Sequence, residues 1–257
     1  WMRILIHLRR LPELGRGRSA MPQRGRSMDF LFLSPEFPPY CAHFVRRLHG
    51  RGVAVYGLGE ADFYWMPPEL RAALAWYLRC DLRDHAAAAS AVERLLAVKA
   101  AHGRPGGFQR VESHNEHWLE LEARLNEAFG IEGIRPADLA RIKKKSVMKT
   151  VFQRCGLPVA PGGLVRRPEQ GLRLAEDLGL PVVLKPDEGV GAGGVHRVAD
   201  RATLKALLAS LTGGYLMEAW IDAPIATYDG LTDENGQVLF ESSLTYGDGV
   251  LAFVQGK

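Results

Sequence analysis

Short apolar runs separated by polar segments predict alternating strands and helices from Met28 onward. Four runs predict strands, at 29–33, 53–59, 79–83 and 108–111, the third being the weakest. Three longer segments predict helices, at 41–50, 86–101 and 118–129. Because strands and helices alternate, we expect parallel pairing in a small doubly wound α/β unit.

The pattern changes after residue 135. One helix is predicted from Pro136 to Cys155, because proline at an early helical position is followed by an acid, and Gly156 ends it. Further strands are predicted at 159–165, 181–185, 195–198 and 215–221, with helices at 168–178 and 202–211. A hairpin is predicted from strands at 228–231 and 238–244 joined by an Asn-Gly turn. This order of elements predicts an α+β arrangement.

Positive charge is concentrated at the start of the chain. Residues 1–27 contain seven arginines and one acid, whereas the remainder contains 26 basic and 28 acidic residues. We therefore expect residues 1–27 to be a disordered or non-native extension, with Met28 as the preferred start. A transit peptide is disfavoured because Pro12, Gly15 and Gly17 interrupt any helix. Nucleic-acid binding through this segment is the least favoured function, since the body is slightly acidic.

Length and composition set further bounds. A chain of 257 residues with 47% apolar content can bury the core of one large or two modest domains. It contains no run of about 18 apolar residues, so no membrane span is expected. Cys41, Cys80 and Cys155 are far apart, which fits neither a disulfide framework nor a zinc cluster. We expect unpaired, buried thiols and a cytoplasmic location.

A glycine-rich loop follows the strand that ends at Lys185. Gly189, Gly191 and Gly194 have GxGxxG spacing, but a dinucleotide fingerprint needs a helix directly afterwards, and residues 195–198 are predicted to be extended. A Walker A loop would end in GKS or GKT, and a kinase lysine would follow the loop. The pattern favours a loop that covers phosphates, with Lys185 at the end of the strand before it. The alternative is a flexible surface hairpin with a solvated lysine.

A second lysine lies on the helix before this loop. Lys145 and Lys149 share one helix face, which taken alone is typical of a solvated surface. Lys145, the Gly-Leu-Pro helix stop, the Leu-Gly-Leu-Pro-Val-Val-Leu-Lys185-Pro segment and the glycine loop occur in the order found in the ATP-grasp superfamily. The chain resembles that family, which includes biotin carboxylase and carbamoyl-phosphate synthetase. The resemblance implies that Lys145 and Lys185 hold ATP phosphates beneath a flap containing four glycines, Gly189, Gly191, Gly193 and Gly194.

The segment Tyr215–Asp222 resembles the family's hinge strand. The resemblance implies that the backbone of Glu218 and Ala219 and the amide of Ile221 pair with the adenine edge. An ordinary edge strand with an exposed acid is the alternative. The family's glycine and glutamates after the hinge are replaced here by Ala-Pro-Ile at 223–225, so no residue is assigned to the ribose.

The resemblance also implies the domain organisation. A Rossmann-like pre-ATP-grasp domain is expected over 28–134, followed over 135–257 by the first lobe and part of the second lobe of an ATP-grasp fold. The family's Mg²⁺ ligands, an acid and a later Glu-x-Asn, are expected beyond Lys257, because Glu241 and Asp248 come too early. The chain is therefore expected to stop within the second lobe and to contain no metal ligand.

By resemblance, the complete enzyme is a ligase that transfers the γ-phosphoryl group of ATP to a small carboxylate. The acyl phosphate is then attacked by an amine. Segments 34–36 and 113–116 follow strands and are candidate substrate contacts. The chain is expected to act with ATP and Mg²⁺, without membrane or nucleic acid, as a homo-oligomer. Two alternatives are nucleotide binding without catalysis and a dinucleotide-dependent oxidoreductase.

Overall fold

The structure is a computed structural model that describes residues 28–189, 193–233 and 235–247. The extension predicted at 1–27 lies outside the described residues. The described chain divides into two compact units, an amino-terminal unit up to Leu139 and a carboxy-terminal unit from Ala140 on. Of the helices described, none combines the length and the apolar character needed to cross a bilayer.

The amino-terminal unit is built on a four-stranded parallel sheet with the order β3-β2-β1-β4. Its strands are β1 (Asp29–Leu33), β2 (Ala54–Gly59), β3 (Leu74–Arg79) and β4 (Arg110–Glu112). Its helices are α1 (Cys41–His49), α2 (Pro68–Ala73), α3 (His85–Ala101) and α4 (Leu119–Ala128). The prediction of a parallel α/β unit is confirmed.

Strand β1 lies in the middle of this sheet and is buried along its whole length. Leu31 and Leu33 pack into one hydrophobic core, whereas Phe30 and Phe32 pack into another. Successive side chains of a strand point to opposite faces, so the alternation separates the two cores. An unbroken apolar run is typical of a parallel strand covered on both faces.

The prediction of the third strand is wrong. The strand occupies Leu74–Arg79 and not 79–83, and its residues are exposed or only partly buried because it lies at the edge of the sheet. A half-exposed strand gives a weak apolar signal. The short helix α2, directly before it, was not predicted. The predicted position at 79–83 instead contains a turn leading to Asp84, whose carboxylate caps α3.

Two buried glutamates lie near the carboxyl end of β4. Glu112 is the last residue of that strand and Glu122 lies on α4, where its carboxylate accepts a hydrogen bond from the Ser113 hydroxyl at 3.3 Å. Burial raises the pKa of Glu112 to about 7, against the opposing effects of Arg110 and backbone amides. Burial and the charge of Glu112 raise the pKa of Glu122 as well.

We expect Glu112→Gln to stabilise the protein above pH 7. A carboxyl group whose folded pKa exceeds its unfolded value of about 4.3 costs stability as the pH rises from about 4.3 to 7, because the unfolded state releases its proton first. The variant should therefore gain about 3–4 kcal/mol of unfolding free energy at pH 8 and little at pH 4.5. Urea denaturation at both pH values measures this, with exposed Glu93→Gln as the control. Equal changes at the two pH values would contradict the assignment.

The carboxy-terminal unit contains a four-stranded antiparallel sheet with the order β5-β8-β6-β7, and a separate hairpin of β9 and β10. The strands are β5 (Gly162–Val165), β6 (Val182–Pro186), β7 (His196–Val198), β8 (Tyr215–Ala219), β9 (Ala226–Thr232) and β10 (Val238–Thr245). The helices are α5 (Leu139–Lys143), α6 (Lys145–Arg154), α7 (Pro168–Leu178) and α8 (Arg201–Ser210). The predictions of an α+β arrangement and of the hairpin are confirmed.

Helices α7 and α8 contribute to one hydrophobic core with this sheet. Its members include Leu184 of β6 and Met217 of β8, both fully buried. The helices approach closely at Gly171, where an added Cβ would come within 2.7 Å of the Leu208 side chain. A glycine at this position therefore permits the packing of α7 against α8.

The single helix predicted from Pro136 to Cys155 is wrong, because the chain forms a 3₁₀ turn, α5 and α6 in succession. Lys144 separates the two α-helices with an extended backbone, at φ −86° and ψ 114°. The break coincides with hydrogen bonds from the first residues of α6 to Asp187, after β6. Tertiary contacts therefore override a continuous helical pattern.

The three cysteines are free thiols. Cys41 is buried and Cys80 is half-buried, whereas Cys155, at the end of α6, is exposed. Burial raises the pKa values of Cys41 and Cys80 to about 11 each, so both remain thiols at neutral pH. The prediction of burial is therefore wrong for Cys155.

Candidate functional site

The start of α6 is anchored to the end of β6. The N–H of Lys145 donates to the carbonyl of Asp187 at 2.9 Å. The N–H and the hydroxyl of Ser146 donate to the Asp187 carboxylate at 2.8 and 2.9 Å. An acid at a helix N-terminus satisfies amides that lack an intrahelical partner. Because Asp187 follows Lys185 by two residues, these bonds bring the two lysine-bearing elements together.

The side chain of Lys145 reaches the glycine loop, where its Nζ donates to the carbonyl of Gly189 at 2.9 Å. Gly189 and Gly194 have φ values of +124° and +69°, which favour glycine. Gly189 and Gly193 are exposed, and a Cβ at either would meet no atom of the described residues within 4 Å. Gly191 lies outside the described residues.

One carboxylate, that of Glu218, pairs with two lysines. Glu218 of β8 is buried, and its Oε1 accepts a hydrogen bond from Nζ of Lys149 at 2.6 Å. Its Oε2 pairs with Nζ of Lys185. Burial would raise the pKa of Glu218, but the hydrogen bonds from Lys149 and Lys185 outweigh this effect and lower it. Glu218 is therefore ionised at neutral pH.

The two lysines on Glu218 differ in exposure. The side chain of Lys149 is 9% exposed and also donates to the carbonyl of Ala160, whereas that of Lys185 is 33% exposed. Two ammonium groups share a single carboxylate, so this group of three side chains carries net positive charge. Such a surface attracts anions, and Lys185 is the cation that solvent reaches.

Strand β8 lies between β5 and β6, where Glu218 is opposite Gly162 and Val183. The alternative of an edge strand with an exposed acid is therefore wrong. The N–H of Ala219 donates to the carbonyl of Pro161 at 2.9 Å, so in this structure that amide is engaged within the protein. Ile221 is exposed after the strand. Pairing of adenine with the backbone here stays a prediction.

Two functional candidates were not identified from sequence. Lys149 was noted only as sharing a helix face with Lys145, and its partner Glu218 is 69 residues away. Asp187 follows the Lys-Pro pair, but the helix start that it caps is 41 residues earlier. The spacing of Lys145 and Lys149 by one helical turn was the only available signal for Lys149.

The candidate contacts at 34–36 and 113–116 follow adjacent strands, β1 and β4. Ser34 and His114 both have φ of +50°, a conformation that is uncommon outside glycine. The carboxylate of Glu36 accepts hydrogen bonds from two backbone amides after β2, at 2.8 and 3.1 Å. This contact fixes the loop conformation, and a substrate role for either segment stays a prediction.

Among residues 28–189, 193–233 and 235–247, no group of three or more His, Cys, Asp or Glu side chains could hold a metal ion. Glu241 accepts a hydrogen bond from the Tyr228 hydroxyl at 2.6 Å on the exposed hairpin. Asp248 lies outside the described residues. Glu241 is therefore not part of a cluster of metal ligands among the described residues.

Comparison with known proteins shows which enzymes the chain is similar to. Residues 144–215 match the family model described as the ATP-binding domain of the carbamoyl-phosphate synthase L chain. The small subunit of 2-oxoglutarate carboxylase from Hydrogenobacter thermophilus is 32% identical over 163 residues, 58% of this chain and 33% of the relative. Biotin carboxylase from a Nostoc species is 30% identical over 139 residues, 49% of this chain and 31% of the relative. The chain thus spans about a third of the length of these relatives.

Solved structures share the fold. The L-amino acid ligase from Bacillus licheniformis superposes with a TM-score of 0.62 at 21% identity, covering 88% of this chain and 52% of that one. The biotin carboxylase domain dimer of the H. thermophilus 2-oxoglutarate carboxylase, in complex with MgADP, ADP and bicarbonate, gives 0.59 at 21% identity, covering 83% and 49%. These matches confirm the resemblance to the ATP-grasp superfamily that the sequence predicts.

Proposed function

We propose that the carboxy-terminal unit binds ATP, with Lys145 and Lys185 contacting the phosphates. The observation that carries this proposal is the double attachment of Lys145 to the segment after Lys185. Its N–H donates to the carbonyl of Asp187 and its Nζ to the carbonyl of Gly189. The Lys145 side chain is therefore adjacent to the glycine loop and to the end of β6, the strand that carries Lys185. The relatedness to ATP-binding domains supports the same assignment.

Each proposed contact follows from the chemistry of the group. Lys145 would exchange the neutral carbonyl of Gly189 for a phosphate oxygen, which is a stronger acceptor for an ammonium group. Lys185 would exchange its pairing with the Glu218 carboxylate for a contact with a phosphate oxygen. The amides of the glycine loop would approach the phosphates without interference from side chains. The backbone of Glu218, Ala219 and Ile221 is proposed to border the adenine.

For the complete protein we propose ATP-dependent activation of a carboxylate. A carboxylate oxygen attacks the γ-phosphorus as the bond to the ADP oxygen breaks, which gives an acyl phosphate. An amine then attacks the acyl carbon, phosphate leaves, a C–N bond forms and the amine loses a proton. The lysines and loop amides would neutralise charge on the transferring oxygens, and a closed loop would exclude water. Magnesium bound to ATP would add to this neutralisation, and the described residues hold no cluster of ligands for it.

The glycine loop does not have the surroundings that the oxidoreductase alternative predicts. A dinucleotide fingerprint places a helix directly after its last glycine, so that the helix N-terminus meets the pyrophosphate. Here the residues after Gly194 enter strand β7, which pairs with β6 in an antiparallel manner. The pattern is strand, glycine loop and strand, which suits a lid over phosphates.

The proposal is tested by titrating the chain with ATP in the presence of Mg²⁺ in a calorimeter, with NAD as the control ligand. We expect saturable binding of ATP and none of NAD. Hydroxylamine added with ATP and a panel of carboxylates traps an acyl phosphate as a hydroxamate. Binding with hydroxamate formation supports a ligase, and binding without it supports a nucleotide-binding module. Absence of ATP binding would contradict the proposal.

A further inference from the structure

Glu218 connects the partly buried Lys185 of the proposed site to the buried Lys149. Its Oε1 accepts from Lys149 and its Oε2 pairs with Lys185, so each carboxylate oxygen has its own lysine. Lys149 has a second acceptor, the carbonyl of Ala160, and is almost fully buried. Lys149 is therefore held by two acceptors. The side chain of Lys185 is 33% exposed to solvent.

We propose that Lys149 is a positioning residue that acts as the permanent counter-ion of Glu218 and thereby frees Lys185 to contact phosphate. The inference rests on the proposed function, because it assigns the phosphate to ATP. Lys149 touches neither the nucleotide nor the reacting atoms in this scheme, and it acts on them through Glu218.

The reason is the cost of an unpaired buried charge. A carboxylate left in the interior without a cation destabilises its surroundings by several kcal/mol. If Lys185 were the sole partner of Glu218, a phosphate could recruit it only by leaving Glu218 uncompensated. With Lys149 in place, Glu218 keeps one charge-assisted hydrogen bond when Lys185 moves. Two cations on one carboxylate thus make the exchange less costly.

The position of Lys149 suits this role. It lies one helical turn after Lys145 on α6, and the start of α6 is tied to Asp187 after β6. The bond from Lys149 to Glu218 joins the same helix to β8. Helix α6 is therefore attached to β8 and to the segment after β6, so a change at Lys149 reaches Lys185 through Glu218.

A double-mutant cycle tests the inference with Mg·ATP as the ligand. We expect Lys149→Met to weaken ATP binding about tenfold, because Lys185 is then held as the sole counter-ion of Glu218. Combining Lys149→Met with Glu218→Gln should restore affinity to at least the wild-type value, since no carboxylate then competes for Lys185. Lys149→Arg should retain binding. Lys205→Met, at an exposed lysine of α8, is the matched control.

A second readout does not need ATP. Competitive acetylation with acetic anhydride, followed by mass spectrometry, reports how readily the Lys185 amine reacts relative to Lys205. We expect the Lys185 amine to react more slowly in Lys149→Met than in the wild type, and faster in the double variant than in the wild type. If the wild type bound no ATP, the proposed function would be wrong. The relative reactivity of Lys185 in the three proteins would still test the role of Lys149.

Two results would overturn the inference. One is Lys185 reactivity that is the same in the wild type and the double variant. The other is a double variant that binds ATP no better than Lys149→Met, which is what a purely structural role of Lys149 predicts. If Lys149→Met alone did not fold, as circular dichroism would show, the wild type and the double variant with its uncharged pair still provide the comparison.

Discussion

An ATP affinity at least about a hundredfold below wild type is expected when Lys145 and Lys185 are both replaced by methionine. Each ammonium group is proposed to make a charge-assisted hydrogen bond to phosphate, worth about 1.5–3 kcal/mol. Loss of one such bond lowers affinity about tenfold or more, and loss of two multiplies the effects if they act independently. Methionine preserves the length and apolar character of the lysine stem, so the change is mainly one of charge.

Calorimetric titration of the single and double variants with Mg·ATP measures this. Lys205→Met should bind as the wild type does, because Lys205 is exposed on α8 and has no part in the proposed site. Unchanged secondary structure by circular dichroism would show that lost binding does not reflect unfolding. Wild-type affinity in the double variant would remove both lysines from the nucleotide site.

A loss of about 3 kcal/mol in the free energy of unfolding is expected for Asp29→Asn in the amino-terminal unit. Asp29, at the start of β1, accepts a hydrogen bond from Nζ of Lys99 at 2.6 Å and one from Nε of Arg104 at 2.7 Å. The Lys99 side chain is fully buried. Removing the carboxylate charge leaves that ammonium group without a counter-ion in the interior, which is the costly way to break a buried pair.

Urea denaturation at neutral pH provides the measurement for the Asp29 series. Lys99→Met should cost less than Asp29→Asn, because Asp29 keeps Arg104 as a partner. The variant Asp29→Asn/Lys99→Met should recover part of the loss, since both buried charges are then absent. Exposed Glu93→Gln serves as the control. A loss below about 1 kcal/mol for Asp29→Asn would show that Lys99 finds compensation elsewhere.

The local sequence pattern was sufficient to predict an element where its residues are fully buried or where a glycine is required at its end. Strand β1 is an unbroken apolar run with both faces covered, and it was placed correctly. The helix at Pro168–Leu178 begins with proline and ends at Gly179, which has φ of +77°, and its bounds were also predicted. The extended pattern after the glycine loop correctly predicted strand β7, and it disfavoured a dinucleotide fingerprint at this loop.

Local pattern was insufficient where distant contacts decide the structure. The break between α5 and α6 coincides with hydrogen bonds to Asp187, 41 residues away, and no local residue signals it. Glu218 is joined to Lys149, 69 positions earlier on α6, and to Lys185, 33 positions earlier on the paired strand β6. Strand β3 is half-exposed at the sheet edge, so its apolar signal was too weak to locate it.

The most direct test of the central claim is a crystal structure of the chain with a non-hydrolysable ATP analogue. We predict that the ammonium groups of Lys145 and Lys185 both lie about 3 Å from phosphate oxygens, while Glu218 remains paired with Lys149. The glycine loop should lie over the phosphates. A nucleotide bound elsewhere, or bound with either lysine directed away from the phosphates, would contradict the account.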